Sequence, residues 1–176
     1  MTYSSGVKTV AELMAMAAIT APKTRGENFV QVMIVEGEKV KELGRAMVTY
    51  GAMFHKKNFD RDGQNVEASE AVVLIGLKDA AVSSLDCGAC GFGSCAEFEG
   101  QTPVDLEFRG PTCAYRLLDL GIALGSAVKV ASLLNVDNRI MYRIGAVARH
   151  LRWVDWDFVL GIPLSVTGKS PYFDRG

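Results

Sequence analysis

The sequence predicts a layered α/β (α+β) protein, with helices packed on a sheet and an irregular cysteine-rich insertion. Three observations carry this. Segments with helical spacing alternate with β-branched apolar segments along the chain. Ala71 to Leu77 is an unbroken apolar run of strand length, which reads as a buried central strand. All four cysteines of the 176 residues fall between Cys87 and Cys113, in a stretch rich in Gly and Pro. The length suits one domain, residues 1–176, with the cysteine segment 80–113 inserted in it.

Taken in order, Val7 to Thr20 reads as a helix with Val10, Leu13, Met14 and Ala17 on one face, and Pro22 closes it. Residues 23–28 are polar. Phe29 to Val35 is β-branched and apolar, so a strand is expected, broken by Gly37. Val40 to Tyr50 has helical spacing, and Asn58 to Glu67 reads as a polar loop. After the strand at Ala71–Leu77, the cysteine segment carries Gly88, Gly91, Gly93, Gly100, Gly110, Pro103 and Pro111, which argues for little regular structure. Tyr115 to Leu134 is apolar on nearly all sides and reads as a central helix. Asn135 to Asn138 reads as a turn and Ile140 to Val147 as a strand. Trp153 and Trp156 in the tail read as core or interface anchors.

Composition excludes several classes of function. Apolar residues make up 49% and charged residues 22%, which is ordinary globular usage rather than disorder. The net charge is −1, from 19 basic and 20 acidic residues with no like-charge block, so nothing points to nucleic acid or an anionic membrane surface as partner. The stretch Leu117 to Val136 contains Asp119, Lys129, Asn135 and two glycines, which fits a buried helix better than a membrane span. Val10 to Ala21 resembles a signal-peptide core, but Glu12 interrupts it and only Lys8 precedes it, so an amphipathic helix is expected. A soluble cytoplasmic protein follows from this reading.

The chemistry lies in the cysteines. Their spacing is C-x2-C-x4-C-x17-C, at Cys87, Cys90, Cys95 and Cys113. Three ligands close together and one remote can surround a 4Fe–4S cluster, which takes a thiolate at each of four corners. Gly88, Gly91 and Gly93 are expected to turn the chain sharply and aim N–H groups at the cluster sulfurs. Two other readings compete. Structural zinc also takes four cysteines, but zinc ribbons supply two C-x2-C knuckles, and Cys95 and Cys113 form no second one. A redox C-x-x-C pair would sit at a helix start after a strand, whereas Cys90 is followed by Gly91-Phe92-Gly93.

The stretch from Asp86 to Cys95, DCGACGFGSC, resembles the 4Fe–4S motif of B subunits of Rnf-type electron-transport complexes. It is also similar to the iron–sulfur subunit of the corrinoid protein of acetyl-CoA metabolism. In those families a fourth cysteine follows at about the distance of Cys113. They place Pro just after it, while here Pro111 precedes it. The whole chain resembles a family described as containing a ferredoxin domain, found in anaerobes and archaea. The matching stretches are Thr20–Gly26, the cysteine segment, Asn135–Tyr142 and Gly168–Arg175.

The order of elements is also similar to nitroreductases. That resemblance implies a nitroreductase-like three-layer arrangement, an FMN cofactor and a homodimer with cofactor at the interface. It makes Lys23 and Arg25 candidates for the FMN phosphate, Arg25 by a bidentate contact and Lys23 as a point charge. The alternative is that both cations solvate the preceding helix C-terminus. It also assigns close packing to Gly121, Ala123, Gly125 and Ala127, and an exchange between subunits to the aromatic tail.

Other signals are weaker. Gly168-Lys169-Ser170 lacks the earlier Gly of a phosphate loop, since residue 163 is Pro. Asp60, Asp62 and Asn65 lack the spacing and terminal Glu of a calcium loop. His55 and His150 are isolated, and Ser83, Ser84 and Ser94 form no hydrolase pattern. Asp137-Asn138-Arg139 fits either a pinned turn or a pocket wall. The expected function is one-electron transfer through a 4Fe–4S cluster to a redox partner protein, or to a flavin in the same chain as an FMN-dependent oxidoreductase. The alternatives are a redox or oxygen sensor, a structural cluster, or a zinc-stabilised interaction protein.

Overall fold

The structure, a computed structural model, describes residues 3–173. Helix α1 (Ser4–Thr20) leads through a 3-10 turn (Thr24–Gly26) to strand β1 (Val30–Glu36). Helices α2 (Glu38–Met53) and α3 (Phe59–Glu67) return the chain to strand β2 (Ala71–Leu77). The cysteine segment holds only a short helix α4 (Cys95–Glu99) and a two-residue hairpin, β3 (Val104–Asp105) with β4 (Arg109–Gly110). Helix α5 (Ala114–Leu133), strand β5 (Asp137–Asn138), helix α6 (Tyr142–His150) and strand β6 (Phe158–Ser165) complete the chain.

The sheet runs β1-β2-β6-β5 and every pairing is antiparallel. The mixed class expected from the sequence is therefore α+β. Strand β2 is buried along all seven residues because helices cover both faces. Val73, Ile75 and Leu77 face a core made with Val10, Met14, Leu120 and Ala127 of α1 and α5. Val72 and Leu74 face a second core with Leu43, Met47, Phe59, Ile144 and Trp156. Two-sided burial is the physical reason for the unbroken apolar run. The expected three layers are present. Trp156 is buried and Trp153 half-buried against the second core, as anchors.

Several local expectations are corrected. The buried face of α1 is Val7, Val10, Ala11, Met14 and Ala18, whereas Leu13 is exposed. Residues 59–67 form a helix rather than a polar loop, because Phe59, Asp62, Gly63 and Val66 recur at helical spacing and are all buried. Asp62 is tolerated there because its carboxylate accepts from Arg61 and Arg143. The segment read as a strand at Ile140–Val147 is α6 over most of its length. Only Met141 bridges to the sheet, at Gly161.

Strand β6 was not expected from the sequence, since Gly161 and Pro163 are both disfavoured inside strands. Pro163 is accommodated because it faces the gap in the β5 ladder between Asn138 and Met141, where no donor is required. Within α5, Ala123 and Ala127 do pack in the core, but Gly121 and Gly125 face open space. Tyr172 of the tail fills the core of its own chain, with its hydroxyl 2.8 Å from Ser69 Oγ. Asp174 and Arg175, part of the last matching stretch, lie outside the described residues. Among the described residues, no helix is long and apolar enough to cross a membrane.

Candidate metal centre

From Ser84 to Thr112 no residue is buried, and burial resumes at Cys113. Residues 84–102 are held by short-range contacts, while the hairpin beyond them is tied to the body through Arg149, Lys56 and Phe158. Asp86 accepts from the Cys95 N–H at 2.7 Å, joining the two ends of the close cysteine set. Ser94 caps α4 by accepting from the Glu97 N–H at 3.1 Å, and Glu97 accepts from the Gly93 N–H at 2.8 Å. This is a variant of the capping box, and it sets Cys95 at the first position of the helix. Phe92 and Phe98 pack edge to face with centroids 5.4 Å apart. Gly88 and Gly91 take positive φ, which permits the tight path between Cys87 and Cys95.

Cys113 comes from the opposite direction, as the residue that opens α5. The four cysteines, all unpaired, line one cavity together with Ser83 and Asp86. Cys87 is exposed, Cys90 and Cys95 are half-buried, and Cys113 is buried. Among the described residues, no three His, Cys, Asp or Glu side chains converge on a single point as ligands of one ion. A cubane does not require such convergence, because each thiolate takes a different iron at a different corner. Thiols ringing a cavity free of cationic side chains fit that group.

One detail differs from expectation. The Gly91 N–H donates to Gly88 O at 2.9 Å and the Gly93 N–H to Glu97, so these two donors serve the loop itself. A different polar group reaches a cysteine sulfur. Ser83 Oγ lies 3.6 Å from Cys113 Sγ, and both residues are buried. Burial pushes the Cys113 thiol up. The Ser83 hydroxyl and the N–H groups of Ser83, Arg116 and Tyr115 outweigh it and leave the thiol below the usual cysteine range.

Beneath this cavity lies a buried ionic cluster that the sequence reading missed. Arg116, one turn into α5, is fully buried. Its guanidinium donates to Ala81 O at 2.8 Å and Thr24 O at 3.1 Å, and pairs with Asp119 at 3.3 Å and with Glu27. Asp119 also accepts from the N–H and hydroxyl of Thr24, at 2.7 and 2.8 Å. The signal in the sequence was two charges at i, i+3 inside an otherwise apolar helix.

This cluster fixes the turn that carries Lys23 and Arg25. Lys23 donates to the carbonyls of Ala18, Ile19 and Ala21 at 2.6–3.0 Å, at the C-terminus of α1. Partial burial holds its ammonium below the usual lysine range, with Asp119 opposing. Arg25 has a left-handed backbone and a half-exposed side chain that donates to Ser83 O at 3.3 Å and pairs with Glu27 at 3.6 Å. The structure therefore brings Arg25 to the strap that touches Cys113, and leaves Lys23 at the helix end.

A family model described as an uncharacterized protein containing a ferredoxin domain matches residues 109–175, a span that includes Cys113. A protein of Archaeoglobus fulgidus is 48% identical over 172 residues, covering 98% of this chain and 93% of that protein. Among solved structures, an FMN-bound nitroreductase from Desulfitobacterium hafniense superposes with a TM-score of 0.58 at 14% identity, over 94% of this chain and 82% of that one. The nitroreductase CinD from Lactococcus lactis, in complex with chloramphenicol, superposes with a TM-score of 0.60 at 15% identity, over 96% of this chain and 84% of that one. At such identities these likenesses establish the fold and nothing finer. By its archaeal relative and the matching family model, the chain belongs to the family of proteins containing a ferredoxin domain, on a nitroreductase-like fold.

Proposed function

We propose that the chain is an electron-transfer protein that holds one 4Fe–4S cluster through Cys87, Cys90, Cys95 and Cys113. The observation that carries this is the common cavity. Cys113, from the start of α5, meets the three cysteines of the exposed loop, and no fifth cysteine exists elsewhere in the chain. When bound, the cluster supplies a one-electron carrier whose potential depends on burial and on donors to its sulfurs. Cys113 anchors it to the rigid body, while the loop with Cys87 presents its outer face to a redox partner. We place the protein in the cytoplasm, with neither nucleic acid nor membrane as partner.

A flavin in the same chain is the second element of the reading, favoured by the nitroreductase-like fold. Arg25 is the cation open to a phosphate, and Lys23 fixes the turn that presents it. Arg25 donates to Ser83 O, on the strap that touches Cys113, which supports a reading of flavin and cluster as adjacent carriers in one chain. With FMN the protein would act as an oxidoreductase, and a pair of copies would frame the flavin.

The test is anaerobic purification followed by metal and sulfide analysis and a visible spectrum. About four iron and four sulfide per chain, lost in Cys113→Ala, support the proposal. About one zinc without sulfide overturns it in favour of a structural metal. A released yellow flavin, reduced in Arg25→Met, supports the oxidoreductase arm. A sample with cluster bands alone leaves electron transfer or sensing without flavin chemistry.

A further inference from the structure

Ser83 has no part in holding a cluster by itself, yet it is the buried residue at which the two halves of the site meet. Its hydroxyl lies 3.6 Å from Cys113 Sγ, and its carbonyl accepts from Arg25 at 3.3 Å. Two residues earlier, Ala81 O accepts from the fully buried Arg116 at 2.8 Å. The strap 81–83 is thus clamped at two carbonyls by arginines from two distant parts of the chain. Val82 and Ser83 of this strap both line the cysteine cavity, and Ser83 brings a hydroxyl to it. Ser84, which follows, has φ of +52°, so the chain leaves the strap abruptly and Ser83 is set apart from the exposed loop.

The direction of the hydrogen bond follows from chemistry. With a free thiol, either atom can donate. Once Cys113 binds iron its sulfur carries no proton, so only the Ser83 hydroxyl can donate. A donor to a ligand sulfur withdraws charge from it. That favours the reduced form, which carries one more electron, and raises the reduction potential.

Resting on the cluster reading above, we infer that Ser83 tunes the potential of the bound cluster through Cys113, and that Arg25 is the positioning residue that keeps its hydroxyl on the sulfur. A ligand that draws Arg25 away from Ser83 O, such as an anionic phosphate, would then change the potential without touching a cysteine. Binding at the turn and the redox state of the cluster are linked reciprocally.

The experiment is a dye-mediated titration with dithionite as one-electron donor, followed by electron paramagnetic resonance, on anaerobically loaded wild type, Ser83→Ala, Ser83→Thr, Ser83→Val and Arg25→Met. Iron and sulfide are counted in each. Thr and Val have nearly the same shape and differ in the hydroxyl, so packing effects cancel between them. The expected result is full loading throughout, with Ala below wild type in potential, Val below Thr, and Arg25→Met displaced in the same direction as Ala. Equal potentials for Thr and Val, or for wild type and Ala, overturn the inference. So does a chain that loses iron whenever the hydroxyl is absent, since Ser83 then serves retention rather than tuning. A potential of Arg25→Met equal to wild type removes Arg25 from the assignment. No iron or sulfide in the wild type defeats the cluster reading itself, a result distinct from all of these.

Discussion

At the scale of single residues, the buried charges define the site more sharply than the exposed ones. Arg116 and Asp119 sit at i, i+3 on an apolar helix, and every group around them is a partner. Removing one member of such a cluster leaves the other buried and uncompensated. Arg116→Met is therefore expected to lower stability by ~3–5 kcal/mol, read as a shift in the urea midpoint. A midpoint equal to that of the parent chain would show that the ionic cluster does not hold the turn. Tyr172 supplies a pH-dependent counterpart. Burial pushes its phenol well above the ordinary value of 10.0. As pH rises the unfolded chain loses this proton first. The stability Tyr172 contributes is full below pH 10.0 and declines above it. Tyr172→Phe is expected to flatten that alkaline decline in thermal melts, while giving up about 1 kcal/mol at neutral pH with the Ser69 hydrogen bond. An unchanged alkaline profile would point instead to Tyr50, whose burial shifts it the same way.

At the scale of elements, close packing governs what spacing leaves ambiguous. Helix α6 lies so near β6 that a Cβ added at Gly145 would fall 1.8 Å from Val159 O, on backbone that cannot yield. Gly145→Ala should cost about 3 kcal/mol or more and lower the melting temperature steeply. Gly121, on the open face of α5, is the contrasting case, since an added Cβ there meets nothing within 4 Å. Gly121→Ala is expected to stabilise by roughly 0.5–1 kcal/mol through helix propensity. If both substitutions behaved alike, the α6–β6 contact would be looser than described. The reading of residues 140–147 as a strand failed for the same reason. Ile140, Tyr142, Ile144 and Val147 look β-like in isolation, but Gly145, Ala146 and Ala148 are also buried, which alternation does not allow. Helix α3 was missed because Asp62 looks like a surface residue until Arg143, far along the chain, is brought to it. Helix α4 was likewise not expected in a segment read as having little regular structure. Ser94 and Glu97 carry the S-x-x-E signature of a capped helix start, hidden by the surrounding glycines.

At the scale of the whole molecule, the three-layer body and the cysteine loop have separate sources of order. Both cores are assembled without any residue from 84–112 that is itself buried. The loop is moored mainly at its hairpin, where Arg149 holds Glu107 O at 2.7 Å and Phe108 stacks on Phe158 with centroids 4.3 Å apart. Removing the proposed cluster with chelator and oxidant should therefore leave the helical circular dichroism nearly intact and open the 84–102 stretch to protease. Reloading iron and sulfide should restore protection. Loss of the helical signal along with the metal would mean that the cluster holds the body as well as the loop.

The sequence by itself determined the class of the fold, the buried central strand and the set of four thiols. Each is carried by local composition or spacing: two-sided burial writes an unbroken apolar run, and the four thiols are grouped within one short stretch. Only the tertiary structure decided that the sheet is wholly antiparallel, that Pro163 lies within a strand, and that Lys23 ends on helix carbonyls while Arg25 reaches Ser83. It also decided that Cys113 is buried against a hydroxyl from residue 83 and lies one turn from an arginine that ties together residues 24, 27, 81 and 119. Apart from Lys23 on its own helix end and the Arg116–Asp119 pair, the side-chain contacts among these join positions 30 to 92 apart. Their free energy appears only when the chain closes on itself, so no local pattern in the sequence records them.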